Sequence, residues 1–128
     1  VKIRIKNADY WNKRLSKFSN LILTKSEKDR RKSYLFYPIT VKKNKLFKKQ
    51  DLVNELEKNG IETRPVMAGN ISKQPVAKIL KFKKSRSLKN SDYIHTNSFV
   101  IGNHHEIDEQ KREFIADVII NFIVKNQK

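Results

Sequence analysis

The chain has no cysteine, three glycines, three prolines and one methionine in 128 residues. Without cysteine there are no disulfides, no thiolate nucleophile and no Cys-based zinc or iron–sulfur site, which fits a reducing cytoplasm. No run of 18 apolar residues occurs, so no segment reads as a membrane span. The opening Val-Lys-Ile-Arg-Ile-Lys lacks the apolar stretch of a signal peptide. It also lacks an initiator Met and begins inside a helix-like pattern, so the sequence suggests a fragment of something longer. Acidic residues are scarce, at 13 against 29 basic, for a net charge of +16. A polyanion partner, as in a basic nucleic-acid-binding module, would use such a charge. Over-use of Lys, Asn and Ile through biased coding composition gives the same total. The lysines are scattered over every segment, and aromatics do not alternate with Arg as base-stacking platforms would. That pattern favours biased composition over a nucleic-acid partner.

What is present is clustered and periodic, as one domain with one core requires. Residues 1–19 read as a helix, with Ala8, Trp11, Leu15 and Phe18 on one stripe. Leu21-Ile22-Leu23 is a short apolar run that reads as an extended segment, and 24–32 is a polar loop. Residues 33–41 are aromatic and β-branched, hence a strand, and Pro38 within it implies an edge position or a bulge. A helix over 49–59 buries Leu52, Val53 and Leu56 and ends at Gly60, where a left-handed cap belongs. Residues 61–66 return as a strand, and 67–74 form a loop. Pro75 opens a short helix through Leu80. Residues 81–89 are basic and poorly periodic. Ser91 or Asp92 caps a short helix through His95, and 98–101 is a further strand. Asp108 caps the last helix, with Glu109 in its first turn. Phe114/Ile115, Val118/Ile119 and Phe122/Ile123 repeat every four residues and are expected on the sheet. Strands and helices in this order make an α+β domain, with a small sheet covered by helices mainly on one face.

Glycine marks the two segments that could carry chemistry. One is Glu62-Thr63-Arg64-Pro65-Val66-Met67-Ala68-Gly69-Asn70, and the other is Ser98-Phe99-Val100-Ile101-Gly102-Asn103-His104-His105. Arg64, at a strand exit, could hold a carboxylate or phosphate bidentately, or simply pair with Glu62 or Glu57 on the surface. Asn70 and Asn103 follow glycines, where turn chemistry explains them as well as ligand contact does. Met67 and Phe99 read as core. His104 and His105, adjacent on an extended segment, would point to opposite sides, so no metal site is expected. No Gly-x-Ser-x-Gly elbow, phosphate-binding loop or dinucleotide fingerprint occurs.

The stretch Arg64-Pro65-Val66-Met67-Ala68-Gly69-Asn70-Ile71-Ser72-Lys73-Gln74-Pro75 resembles a signature in the C-terminal part of the DegT/DnrJ/StrS family. These are pyridoxal-phosphate (PLP)-dependent sugar aminotransferases of aspartate-aminotransferase fold. The resemblance is strongest to the branch of 3-dehydratases acting on CDP-linked 4-keto-6-deoxyglucose. Asn7-Ala8-Asp9-Tyr10-Trp11, the Phe36 to Val41 strand, Asn59-Gly60-Ile61-Glu62-Thr63, Asn90-Ser91-Asp92 and Phe99-Val100-Ile101-Gly102-Asn103-His104 extend it over nearly the whole chain. The least similar stretches are 24–32 and 81–87.

The resemblance implies a single small C-terminal domain, 1–128, of a longer enzyme. Residues 1–19 would be the linking helix, and 33–128 a three-stranded, mainly antiparallel sheet with its helices. It implies a homodimer whose PLP sits in an N-terminal domain outside this chain. That domain would carry the Lys of an aminotransferase or the His of a dehydratase. No catalytic, cofactor-binding or metal-ligating residue is then expected in this chain. The substrate would be a nucleotide-sugar: Arg64 would contact it or the amino donor's carboxylate, Asn70 and the 67–70 loop would line the sugar end, and Asn103 and His104 would form the opposite rim. The setting would be cytoplasmic synthesis of surface polysaccharide or lipopolysaccharide sugars, with no membrane partner.

Overall fold

The computed structural model describes residues 1–25, 29–30, 32–67, 69–80 and 86–127. Four α-helices and four strands are found along the described residues, with the first two strands consecutive. Helix α1 spans Lys2–Leu15, strand β1 Leu21–Leu23, β2 Phe36–Val41, and α2 Lys49–Lys58. Strand β3 is Thr63–Pro65, followed by short 3-10 turns at Ile71–Lys73 and Pro75–Lys78. Helix α3 is Lys89–Asn97, β4 Ser98–Gly102, and α4 Glu109–Lys125. All strand pairs are antiparallel, in the order β1-β2-β4-β3.

The sheet therefore has four strands where three were expected. The extra one is Leu21-Ile22-Leu23. Three apolar residues carry no readable alternation, and pairing with Val41, Thr40 and Ile39 decides their state. The first helix stops at Leu15, short of residue 19. Strand β2 starts at Phe36 instead of Ser33. Strand β3 is confined to Thr63–Pro65.

Pro38 sits in an interior strand, contrary to an edge placement. The register resolves the conflict. β1 pairs with Ile39 to Val41 and ends before Pro38, while β4 pairs along Phe36 to Thr40. Lys42 N–H donates to Asn20 O at 2.8 Å, which fixes the alternation of bonded pairs along β1–β2. By that alternation Pro38 nitrogen faces the β1 side, where the partner strand has run out. Its missing N–H thus costs no rung.

One sheet face carries the core. Tyr37, Ile39, Val41, Phe99 and Ile101 project into it and meet Ala8, Trp11 and Leu15 of α1, Leu52, Val53 and Leu56 of α2, and Ile115, Val118, Ile119 and Ile123 of α4. The helical stripes do what their 3.6-residue spacing asks. Trp11 and Tyr37 rings lie 4.9 Å apart, within the range of favourable tilted pairs. Phe114 departs from the expected pattern: it is half exposed, while its neighbour Ile115 is buried. One residue in each adjacent pair must turn away from a sheet that a helix touches along a single stripe.

The opposite face presents Phe36, Pro38, Thr40, Arg64, Ser98 and Val100. Helix α3 touches β2 and β4 and shields part of it. Ser98 and Val100 are buried without belonging to the main core. Thr40 and Ser98 hydroxyls share a 2.7 Å hydrogen bond across the rung.

The caps follow local chemistry. Asp108 carboxylate accepts from Lys111 N–H at 2.9 Å, and Glu109 occupies the first turn of α4. Gly60 ends α2 at φ 74°, as a left-handed cap requires. Helix α3 begins two residues before Ser91, after Leu88, so neither Ser91 nor Asp92 is its N-cap. Asp92 instead reaches the loop that precedes the helix.

Candidate functional site

Strand β3 is the outer strand on the β4 side, and Arg64 projects from it on the face opposite the core, level with Val100 and Pro38. Its guanidinium is exposed and donates from Nε and Nη2 to one Glu62 carboxylate oxygen, at 2.9 and 2.6 Å. Arg64 borders a shallow concavity of about 50 Å³ with Phe36, Glu62, Val100, Ile101 and Gly102. An exposed pair of this kind contributes about 0–1 kcal/mol, so an incoming anion can replace Glu62 at little cost.

The loop after β3 is held against α3. Asn70 is buried, and its two amide ends work separately. Oδ1 accepts from Ser72 N–H at 3.0 Å and from the Ser72 hydroxyl at 2.8 Å, capping the first 3-10 turn. Nδ2 donates to Asp92 Oδ1 at 2.6 Å, and Lys73 approaches the same oxygen at 3.0 Å. Gly69, at φ 61°, packs against the His95 ring. Met67, read as core from the sequence, is 84% exposed and holds φ 44°. A thioether in the left-handed region is strained backbone, and such strain persists where surrounding contacts impose it. Gly69 N–H donates to Val66 O at 2.9 Å, closing the turn in which Met67 sits. Ala68 lies outside the described residues.

Asn103 is also interior, at 1% exposed. Its Nδ2 donates to the carbonyls of Arg4 and Tyr34, both at 3.0 Å, and its Oδ1 accepts from Asn7. Asn7 Oδ1 in turn accepts from Arg112 Nη1 at 3.3 Å. Arg112, buried on α4, lies over the Tyr10 ring at 4.6 Å. Its backbone carbonyl accepts from the Trp11 indole at 2.9 Å. Sequence reasoning missed this network. The usable signal was an Asn at position 7 on the buried side of a helix, directly beside Ala8.

His104 is exposed, at the turn between β4 and α4. His104 and His105 do not point apart as an extended segment would make them. Their rings are 4.0 Å apart because the chain turns here, with Ile107 N–H donating to His104 O at 3.2 Å. With Glu106 they offer ligand atoms within 4.8 Å of one another, all exposed.

The four residues expected at a substrate site thus divide. Arg64 and His104 present polar groups to solvent. Asn70 and Asn103 spend their amides holding loop and strand ends in place. None of these residues encloses a cofactor-sized space, and every described lysine is exposed or half exposed. The concavity beside Arg64, at about 50 Å³, is too small to hold PLP.

The model of the DegT/DnrJ/EryC1/StrS aminotransferase family matches residues 1–120. A dTDP-4-dehydro-2,6-dideoxy-D-glucose 3-dehydratase from Saccharopolyspora spinosa is 29% identical over 94 residues, 73% of this chain and 20% of that protein. A GDP-4-keto-6-deoxy-D-mannose 3-dehydratase from Escherichia coli O55:H7 is 29% identical over 106 residues, 81% of this chain and 26% of its own length. A crystal structure of GDP-4-keto-6-deoxymannose-3-dehydratase, holding a trapped PLP-glutamate geminal diamine, superposes with a TM-score of 0.80. It is 26% identical and covers 92% of this chain, which covers 30% of it. A family aminotransferase from Brucella abortus, 18% identical with a TM-score of 0.77 over 94% of this chain and 30% of that one, shares the fold. The chain spans between a fifth and a third of these proteins. Matched along nearly its whole length, the chain belongs to the DegT/DnrJ/EryC1/StrS aminotransferase family.

Proposed function

We propose that this chain is the C-terminal, substrate-side domain of a PLP-dependent nucleotide-sugar aminotransferase or deoxysugar 3-dehydratase serving surface polysaccharide synthesis. The family match over residues 1–120 carries the reading. It is supported by a relative described as a lipopolysaccharide biosynthesis protein in Salmonella typhimurium, 28% identical over 73% of this chain. In this reading PLP, the catalytic Lys or His and most of the pocket belong to an N-terminal domain, and the working enzyme is a cytoplasmic homodimer. When bound there, PLP supplies the electron sink for chemistry at the sugar.

This chain's part is to bind and orient. Arg64 exchanges Glu62 for a substrate anion, the nucleotide diphosphate or an amino donor's carboxylate, using its two-pronged donor geometry. His104 contributes from the opposite rim. Asn70 and Asn103 act behind them, fixing the 66–80 loop and the β4 exit.

The test uses the longer enzyme that contains this chain. Arg64→Gln should raise KM for one anionic substrate by about 10–100-fold, the scale of losing a charge-assisted pair. Arg64→Lys should restore little, since a point charge does not reproduce the fork. Unchanged KM in both variants refutes the role of Arg64. For the division of labour, titrating the 128-residue chain with PLP should give no saturable absorbance change that one Lys substitution removes.

A further inference from the structure

The free edge of the sheet at β1 has the makings of a peptide-docking strip. The Lys42 N–H to Asn20 O bond sets Ile22 as the residue that exchanges backbone bonds with Thr40 of β2. Leu21 and Leu23 then direct their N–H and C=O groups away from β2. The Leu21 N–H agrees with this, turning back to Phe18 O at 3.1 Å. Leu21 C=O and both backbone groups of Leu23 are left facing outward, and no described strand lies beyond β1. Thr24 O accepts from Asn12 Nδ2 at 3.2 Å, which closes the strip at its far end.

Beside this edge lies an open groove of about 650 Å³ between β1 and α1. Phe18, Leu21 and Leu23 border it with the edges of mostly buried side chains, Leu15 lies fully buried beneath them, and Lys25 and Lys42 also line it. Lys17 adds a third cation, its ammonium 5.2 Å from the Phe18 ring centre. Asp9 is the acid among the described lining residues. Exposed edges are templates for pairing, and extended peptides use them through backbone bonds with alternate side chains seated in pockets. Lys17, Lys25 and Lys42 against Asp9 favour an occupant of opposite local charge over a second copy of this chain in this groove.

We propose that the β1 edge accepts an extended acidic peptide segment as a fifth strand. Backbone bonds run to Leu21 and Leu23, apolar side chains enter the groove, and carboxylates meet Lys17, Lys25 and Lys42.

The probe is an acetylated, amidated heptapeptide alternating glutamate and valine, added to the longer enzyme that contains this chain while backbone amide chemical shifts are followed. Saturable, salt-weakened shifts centred on Leu21 and Leu23 are expected. N-methylation of alternate peptide nitrogens should weaken binding by about tenfold or more, the value of one or two backbone bonds. Leu23→Pro, which removes an outward N–H that β2 does not use, should do the same. If that variant fails to fold, the N-methylated peptide decides the matter alone. Equal binding by the N-methylated peptide or by a lysine–valine peptide overturns the proposal. So does the absence of shifts at Leu21 and Leu23, or a concentration-dependent dimer formed through this edge.

Discussion

Asn7 Nδ2 donates to Asn103 Oδ1 at 3.3 Å, joining the first helix to the exit of β4 across 96 residues of chain. Both side chains are buried, and the Asn103 amide also serves the Arg4 and Tyr34 carbonyls. A single side chain thus ties the start of α1 and the approach to β2 to the end of β4. Removing it takes one hydrogen bond from each of three groups packed around it, each bond worth about 0.5–1.5 kcal/mol. Asn103→Ala should lower the unfolding free energy by about 2–4 kcal/mol in urea titration. His104→Ala, next door and exposed, should change it by less than about 0.5 kcal/mol. Equal effects would refute the division between interior and surface roles.

Alkaline pH probes the core through Tyr37. Burial, helped by the nearby Tyr34, pushes its phenol well above the usual tyrosine value. Its hydroxyl donates to Asn12 Oδ1 at 2.8 Å. The folded state therefore keeps the proton when the unfolded chain gives it up near the ordinary value of about 10. Stability from this residue is complete below that pH and is lost as pH rises above it. The urea midpoint should fall more steeply above about pH 10 in the native chain than in Tyr37→Phe.

Acid acts at the other end of the scale. The backbone hydrogen bond from Lys111 holds the Asp108 carboxyl below its usual value. A depressed carboxylate stabilises above its unfolded value, near pH 4, and the contribution is lost as pH falls through the folded one. The protection of the Lys111 amide, its exchange rate relative to the free-peptide rate at the same pH, should fall below about pH 4. Asp108→Asn keeps an accepting oxygen at the cap and should flatten this dependence.

Gly69 and Gly60 separate two reasons for glycine. Both have positive φ, at 61° and 74°. A methyl at Gly60 meets open space, whereas at Gly69 it would overlap the His95 ring. Gly60→Ala should cost about 1 kcal/mol from the backbone alone. Gly69→Ala should cost the same backbone strain and also displace His95, visible as a shift of its ring proton resonances. Pairing it with His95→Ala should recover the second part and leave the first. An unmoved His95 ring in Gly69→Ala would contradict the packing of the loop on α3.

Where apolar spacing is strong, the sequence by itself determined the outcome. Ala8, Trp11 and Leu15, the α2 stripe, the Asp108 cap and the Gly60 stop all stand as local chemistry dictates. The motif around Arg64 to Pro75 also sufficed to bring out the family. Tertiary structure decided the rest. Leu21 to Leu23 became a fourth strand because β2 offered a partner edge, and three residues cannot announce a period. Pro38 entered an interior strand because β1 stops one residue before it. Met67 went outward, and Asn70 and Asn103 turned inward to partners 22 to 99 residues away. Periodicity and capping act over a single turn or rung. Which end of an amide finds a distant carbonyl is settled only when the elements pack.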